Sequence, residues 1–476
     1  MFADETKSLS PSSPTLLSPR CLENINRENP NLFSPPCSSS SEQRLIDSMG
    51  LAPATARPQE FDTPIHLLPM ELVAGIFTIC HETEDLNDSP TGCARVIISH
   101  VCSRWRAIIL SIPTLWCTIS IRGPRGSTKP RLEAHLERSA MCPLSLHFVS
   151  NISTAQHSVE QIKDYMVLTI VHAQRWKSVQ LDLTYEHAPP ILDVLNSTSF
   201  PSLEILNVNV LDWPQAPSNA LFDIFSSYSG IRKLSWRGSV GTPPSSFLAA
   251  LTHFEIGPSL SLRQLYTLLS QCCHVSELRI STTRDSGEGP LHDTAVITLD
   301  KLEVLSVFTN EPFEEVFDRV CLPRLRQLEI RFLGNFPAPG RPSRGLDTFL
   351  VRSKCALQEF LLRDKYIPSE ALIQLLHMPN LETVRDLSID VPSLDDRVLA
   401  TLTRPVDGEG ILPRLQTSSF WRLQSSDGTL GDMMVSRVQG VGQHLKRMRT
   451  TLPGFFPKDM HALKSLEAQG MHTEYG

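Results

Sequence analysis

The chain has 476 residues, 41% hydrophobic and 20% charged, with a net charge of −7. That length allows one to three domains with sizeable cores. The acidic balance argues against a general nucleic-acid binder, which carries a basic footprint. No apolar run approaches the roughly 18 residues of a membrane span. Neither nucleic acid nor a membrane is therefore an expected partner.

Residues 1–60 are rich in Ser, Pro and Asn and lack apolar periodicity. Such a segment buries too little surface to offset its ordering entropy, so a disordered tail is expected, with at most a short helix over 42–49. Ser10, Ser13, Ser18 and Ser34 each precede a proline. They read equally as proline-directed phosphorylation sites, each adding about −1.5 to −2 charge, or as compositional bias. Asp4 and Glu5 stand where a secretory leader would be apolar, and no such leader is expected. Eleven cysteines are scattered, with only Cys272 and Cys273 adjacent and no C-x-x-C pair. Reduced thiols in the cytoplasm or nucleus are the expectation. The sequons at Asn151 and Asn196 then read as chance matches.

Between residues 61 and 122 the pattern becomes helical. Pro69 fits the first turn of a helix, where its missing N–H costs nothing. Leu72, Val73, Ile76, Phe77 and Cys80 follow at helical spacing. Residues 81–92 are acidic and rich in turn formers, and read as a loop. Val96, Ile97, His100, Val101, Arg104, Trp105, Ile108 and Ile109 predict one second amphipathic helix ending before Pro113. Leu115, Trp116 and Ile119 add an apolar cluster. So much apolar surface on so few residues suits a module that buries one face on a partner.

The ordered set Leu68-Pro69, Glu71, Leu72, Ile76-Phe77, Val101-Cys102, Trp105 and Leu115-Trp116 resembles the F-box, in the variant with a P-x-L-W ending common in mushroom-type fungi. The resemblance implies that these residues dock on a Skp-type adaptor. Through it the chain would join a cullin–RING ubiquitin ligase.

From Met141 onward an apolar-x-x-apolar-x-apolar pattern recurs. Its copies include Met141-Leu144-Leu146, Trp176-Val179-Leu181, Leu203-Leu206-Val208, Ile231-Leu234-Trp236 and Leu251-Phe254-Ile256. Val275-Leu278-Ile280, Leu302-Leu305-Val307, Leu325-Leu328-Ile330 and Leu357-Phe360-Leu362 continue it. Leu381 with Leu387-Ile389 reads as a stretched copy, and Leu415 with Phe420 as a degraded one. From Trp176 successive starts lie 20 to 32 residues apart, close to the 20–29 of leucine-rich repeats. Helix-compatible segments lie at 220–227, 261–272, 312–320, 346–353 and 369–377. Residues 430–475 read as a final helix–strand–helix–strand cap. The expected fold is α/β: an all-α module, then an irregular leucine-rich-repeat-like solenoid over 135–476 with a parallel sheet. It resembles the divergent repeat regions that often follow an F-box.

No catalytic signature appears. There is no G-x-S-x-G elbow, P-loop, H-E-x-x-H or G-x-G-x-x-G after a strand. Cys80, His81, Cys93, His100 and Cys102 are near one another but lack zinc spacing. No metal, cofactor or enzymatic activity is expected. The residue after the last apolar position of each copy forms a column facing the concave side: Asp182, Asn209, Arg237, Gly257, Ser281, Phe308, Arg331 and Arg363. Arg279 and Glu329 lie two positions earlier in their own copies. Arg237, Arg279, Arg331 and Arg363 are candidate substrate contacts within reach of one anionic ligand, against solvated strand-end charge as the alternative. The functional expectation is a substrate-recognition adaptor of a Skp–cullin–F-box ligase, or else an F-box scaffold acting outside any ligase. Substrate identity is not legible.

Overall fold

The computed structural model describes residues 64–82, 94–122, 129–150, 157–240, 243–282, 295–309, 317–332, 344–405, 408, 410–439, 445–452 and 456–475. The tail expected over 1–60, the loop at 83–92 and most of the helix expected at 312–320 lie outside them. Contacts divide the chain into residues 1–67 and 68–476. Of the first unit, the short 3-10 turn Pro64–Leu67 is described.

The second unit opens on three helices, α1 (Met70–Glu82), α2 (Ala94–Ser99) and α3 (Ser103–Leu110), and a 3-10 turn, Pro113–Trp116. Pro69 stands just before α1, and its carbonyl accepts from the amides of Leu72 and Val73. The single helix expected over Val96 to Ile109 is two. Cys102 is extended and its Sγ accepts from the Trp105 amide at 3.4 Å, capping α3. Arg106 Nε donates to the Ser99 carbonyl at 2.9 Å, which occupies the end of α2. The apolar spacing stays in phase across the break, so periodicity alone reads one helix. Val73, Phe77, Ile108, Ile109, Leu115 and Trp116 form the small core of this module.

A parallel sheet follows. Its first seven strands are β1 (Thr118–Arg122), β2 (Leu144–Val149), β3 (Trp176–Asp182), β4 (Ile205–Asn209), β5 (Lys233–Arg237), β6 (His253–Leu260) and β7 (Glu277–Thr282). Two short strands, β8 (Ile297–Thr298) and β10 (Val320–Cys321), pair separately. The sheet continues with β9 (Val304–Thr309), β11 (Gln327–Phe332), β12 (Glu359–Arg363) and β13 (Asp386–Asp390), then β14 (Thr417–Trp421), β15 (Arg447–Thr450) and β16 (His472–Tyr475). Fourteen strands thus stand in chain order, each parallel to the next. The crossovers carry α4 (Lys129–Arg138), α5 (His157–Ile170), α6 (Ala188–Asn196), α7 (Gln215–Ser226), α8 (Ser245–Ala250) and α9 (Leu262–Leu269). Later ones carry α10 (Arg344–Ser353), α11 (Ser369–Leu376), α12 (Asp396–Leu402), α13 (Thr429–Gln439) and α14 (Pro457–Ala468). The terminal order α13, β15, α14, β16 is the helix–strand–helix–strand order read over 430–475.

The repeat has a physical register. Leu203, Ile231, Leu251, Val275, Leu302, Leu325, Leu357, Val384, Leu415 and Leu445 are all buried at one position of successive units. The residue after each donates its amide to the carbonyl of its counterpart one unit earlier, from Glu204 on Lys177 to Lys446 on Gln416. Each such side chain contributes about 1.5–3 kcal/mol on full burial. Three sequence readings change. The stretched copy is regular: Val384-Leu387-Ile389 holds the register, and Leu381 sits in the 3-10 turn Pro379–Leu381. The degraded copy is regular too, with Ser418 buried in a leucine position and donating to Met448 Sδ at 2.9 Å. The first copy is shifted: Met141 is exposed, and buried Leu144, Leu146 and Phe148 pair with Trp176, Val179 and Leu181, with an irregularity after Leu144. The sheet also begins earlier than expected, because β1 lies within 61–122 and pairs with β2.

Candidate interaction surfaces

Two surfaces stand out, one on the helical module and one on the sheet. On α1, Val73 and Phe77 point into the module core. Leu72, Ile76 and Ile79 recur at i, i+4 and i+7 and so line a different face. Ile97 on α2 and Val101 in the following turn are also apolar and open. Leu72, Val101, Ile97 and Ile79 are 57%, 58%, 60% and 61% exposed. Pro69 and Glu71 are exposed beside them in sequence. Single exposed apolar residues are ordinary, but a stripe of them on one helix face marks an interaction surface.

The expected docking residues divide into two groups. Leu72, Ile76 and Val101 are exposed, while Leu68 is half-buried against the core and its carbonyl accepts from Arg104 Nη2 at 2.9 Å. Trp105 is half-buried, edge-on to Phe77 with ring centroids 5.1 Å apart. Cys102 is a helix cap. Phe77, Leu115 and Trp116 are only 1–2% exposed, so the structure corrects their assignment as contact residues. They hold the module together, because a core this small needs its largest apolar side chains inside. Met70, Ile79, Ile97 and Leu110 are exposed as well. Ile79 was recoverable from the sequence, being i+3 from Ile76.

Trp116 ties the module to the sheet. Its Nε1 donates to the Ile109 carbonyl at 3.0 Å. The Arg95 and Arg138 guanidiniums lie 5.7 and 4.6 Å from its ring. His135 of α4 meets the ring edge-on at 5.1 Å. Buried Arg95 donates to the carbonyls of Leu115 at 2.7 Å and Thr118 at 3.0 Å. Burial, reinforced by Arg95, Arg131 and Arg138, pushes the His135 pKa down to about 3, so the ring is neutral.

The face of the sheet away from the buried strand residues carries the predicted column. Asp182, Asn209 and Arg237 stand in register on neighbouring strands. So do Ser281, Phe308, Arg331, Arg363, Asp390 and Trp421. Between the two runs the register shifts after Ile256. A Cβ on Gly257 would lie 2.8 Å from Arg237 Cγ, so the glycine makes room for Arg237 to cross β6. The expectation of one shared ligand is corrected. Arg237 and Arg331 are four strands apart, about 19 Å at the usual strand spacing. Each arginine is also ion-paired: Arg237 with Glu255 at 3.1 Å, Arg279 with Glu277 at 3.2 Å, Arg331 with Glu329, and Arg363 with Asp390 at 2.9 Å. The more exposed pairs, Arg237–Glu255 and Arg279–Glu277, contribute about 0–1 kcal/mol each.

Among the described residues no group of three or more His, Cys, Asp or Glu is arranged to hold a metal ion. Of the five residues weighed for zinc, His81 and Cys93 lie outside the description of side chains. No described helix is long and apolar enough to cross a membrane.

No protein-family model and no curated protein matches the chain. Solved structures do. A Bacteroides fragilis protein is similar over 68% of this chain and 84% of its own, at 11% identity and a TM-score of 0.37. A TLR13–ssRNA13 complex covers 58% of this chain and 39% of that one, at 12% identity and a TM-score of 0.33. A yeast Rad7 and Elc1 complex covers 87% and 94%, at 12% identity and a TM-score of 0.34.

Proposed function

We propose that this chain is a substrate receptor of a Skp–cullin–F-box ubiquitin ligase. Its helical module, similar to an F-box, docks on a Skp-type adaptor, and its sheet presents a protein substrate. The observation that carries the reading is the exposed stripe Leu72, Ile76 and Ile79 on a module whose Phe77 and Trp116 are already inside. On this reading the protein performs no bond chemistry, needs no cofactor and works in the cytoplasm or nucleus. It raises the local concentration of substrate beside the ligase.

The test is recovery of adaptor and cullin with the tagged chain. Burying one such apolar side chain contributes about 1.5–3 kcal/mol. A Leu72→Ala, Ile79→Ala double variant is therefore expected to weaken adaptor capture by at least about tenfold. Its melting temperature should stay close to wild type, since neither residue is in the core. Undiminished capture by this variant would remove the docking face. Adaptor without cullin would favour a scaffold acting outside any ligase.

A further inference from the structure

The outer column from β9 to β14 carries more than paired surface charge. Phe308, Arg331, Arg363, Asp390 and Trp421 stand side by side on consecutive strands of the sheet. A sixth residue joins them by a backbone departure. Side chains alternate across a strand, so Arg422, following Trp421, would point to the helix side. Its φ of 61° is left-handed, a conformation costing a non-glycine residue about 1–2 kcal/mol. The turn returns Arg422 to the open face, where its Nε meets Asp390 Oδ1 at 2.9 Å. Its amide is held by Thr451 Oγ1 of the next unit at 3.4 Å.

The three arginines each lie against a carboxylate. Arg331 Nε donates to Glu329, whereas Arg363 Nε lies 2.9 Å from one oxygen of Asp390 and Arg422 Nε lies 2.9 Å from the other as charge contacts, Oδ1 accepting no hydrogen bond among the described residues. Glu329 is itself fixed by Ser306 Oγ at 2.8 Å. The Arg331 guanidinium also lies 5.3 Å from the Phe308 ring. The Nε bond to Glu329 sets the plane of the Arg331 guanidinium and leaves its terminal nitrogens for a second acceptor. A planar fork held this way suits bidentate recognition of a carboxylate. Three guanidiniums face two carboxylates, so the strip keeps one positive charge in excess. At its far end Trp421 is 38% exposed.

We propose that this strip binds an extended peptide that carries two acidic side chains and an apolar residue beside them. From Phe308 to Trp421 is four strand spacings, about 19 Å, which an extended peptide spans in about six residues. One acid would bridge Arg331 and Arg363, which are one strand apart, and the second would meet Arg422. The apolar residue would lie on Trp421. This assigns a substrate class to the receptor read above and rests on that reading for its setting only.

The test uses the whole protein and a fluorescein-labelled octapeptide with two Glu-Asp steps between terminal phenylalanines. Its partner probe has Gln-Asn steps. Wild type is expected to bind the acidic peptide at least about tenfold more tightly at low salt, with the preference shrinking as salt screens it. An Arg331→Gln, Arg363→Gln, Arg422→Gln variant should bind both peptides alike. Trp421→Ala should weaken both about equally, and it keeps the test open should the triple variant misfold. Equal binding by wild type, or a preference that survives in the triple variant, overturns the proposal. A phosphoserine version bound more than about tenfold tighter overturns the carboxylate assignment, because doubly charged phosphate would then be the ligand the forks select. Adaptor capture is measured on the same preparations. Adaptor without peptide defeats the strip alone, and peptide without adaptor defeats the receptor reading alone.

Discussion

The joint between module and sheet should loosen in mild acid, through His135. Its ring is buried beside Trp116, and among the described residues its Nδ1 has no hydrogen-bond partner. Three arginines, Arg95 from α2 and Arg131 and Arg138 from α4 itself, oppose its protonation. The folded pKa of about 3 lies below the ordinary 6.5. Between those values the unfolded chain binds a proton that the folded chain refuses. Stability therefore falls as pH falls from about 6.5 towards 3. From pH 7 to pH 5 the loss is about 1.5 pK units of linkage, or about 2 kcal/mol. Burial also lowers the pKa of His172, His187 and His253, so wild type alone cannot isolate the effect. His135→Phe keeps a ring against Trp116 and removes the titration. Urea unfolding of both proteins at pH 7 and pH 5 should show wild type losing about 2 kcal/mol more than the variant. Equal losses would refute the assignment of a neutral, desolvated His135.

Two further outcomes test the cap and the thiols. Arg437 is buried and donates to the carbonyls of Leu402, Ile411 and Leu412 at 2.6, 2.9 and 3.2 Å. Leu412 has a φ of 51°, so the arginine closes a strained turn. Arg437→Met leaves those carbonyls unpaired and should destabilise the protein by about 2–4 kcal/mol in a thermal or urea melt, and an unchanged melt would show that the turn holds without it. Burial pushes the Cys272 thiol up to about 12, and Cys117 and Cys355 to about 11. Among the eight described cysteines, iodoacetamide at neutral pH should therefore label exposed Cys80 and Cys273 first, with mass spectrometry of the native protein finding Cys272 unmodified until urea is added.

The sheet was legible because its units repeat a rule that needs no tertiary knowledge. An apolar residue, two spacers, another apolar residue, one spacer and a third predict a buried strand at a fixed offset. Where the rule failed, it failed on chemistry. Ser418 occupies a leucine position because its hydroxyl meets a methionine sulfur, and a search for apolar letters passes over it. Val384 was passed over in favour of Leu381 because two candidates lay three residues apart and only the backbone bond from Arg385 to Gln358 chooses between them. The helix break at Cys102 depends on a thiol cap that composition does not announce. On the surfaces, the column's register was readable, but its ion pairs and the left-handed Arg422 were not. Those depend on which carboxylates neighbouring strands bring alongside. The split of the module's residues into exposed and buried sets was half-readable. Helical spacing separates Leu72 and Ile76 from Val73 and Phe77, whereas nothing local says that Leu115 and Trp116 turn inward.

The buried position of Trp116 bears on how the two surfaces could act together. A receptor tethered by a flexible linker spreads its cargo over a volume set by linker length. Here a single residue, Cys117, separates the turn Pro113–Trp116 from β1. The Cys117 carbonyl already accepts from the Ser145 amide of β2. Arg95 reaches from α2 across the joint to the first residue of β1, and Arg138 and His135 hold the tryptophan from α4. Among the described residues, none between the turn and β1 is left without such a contact to either side. Within one unit the parallel register then carries the same backbone bond from strand to strand. A peptide held between β9 and β14 would stand at a set number of strand spacings from the module's helices. The tryptophan and the repeat are thus two parts of one device. One fixes the origin, and the other fixes the distance.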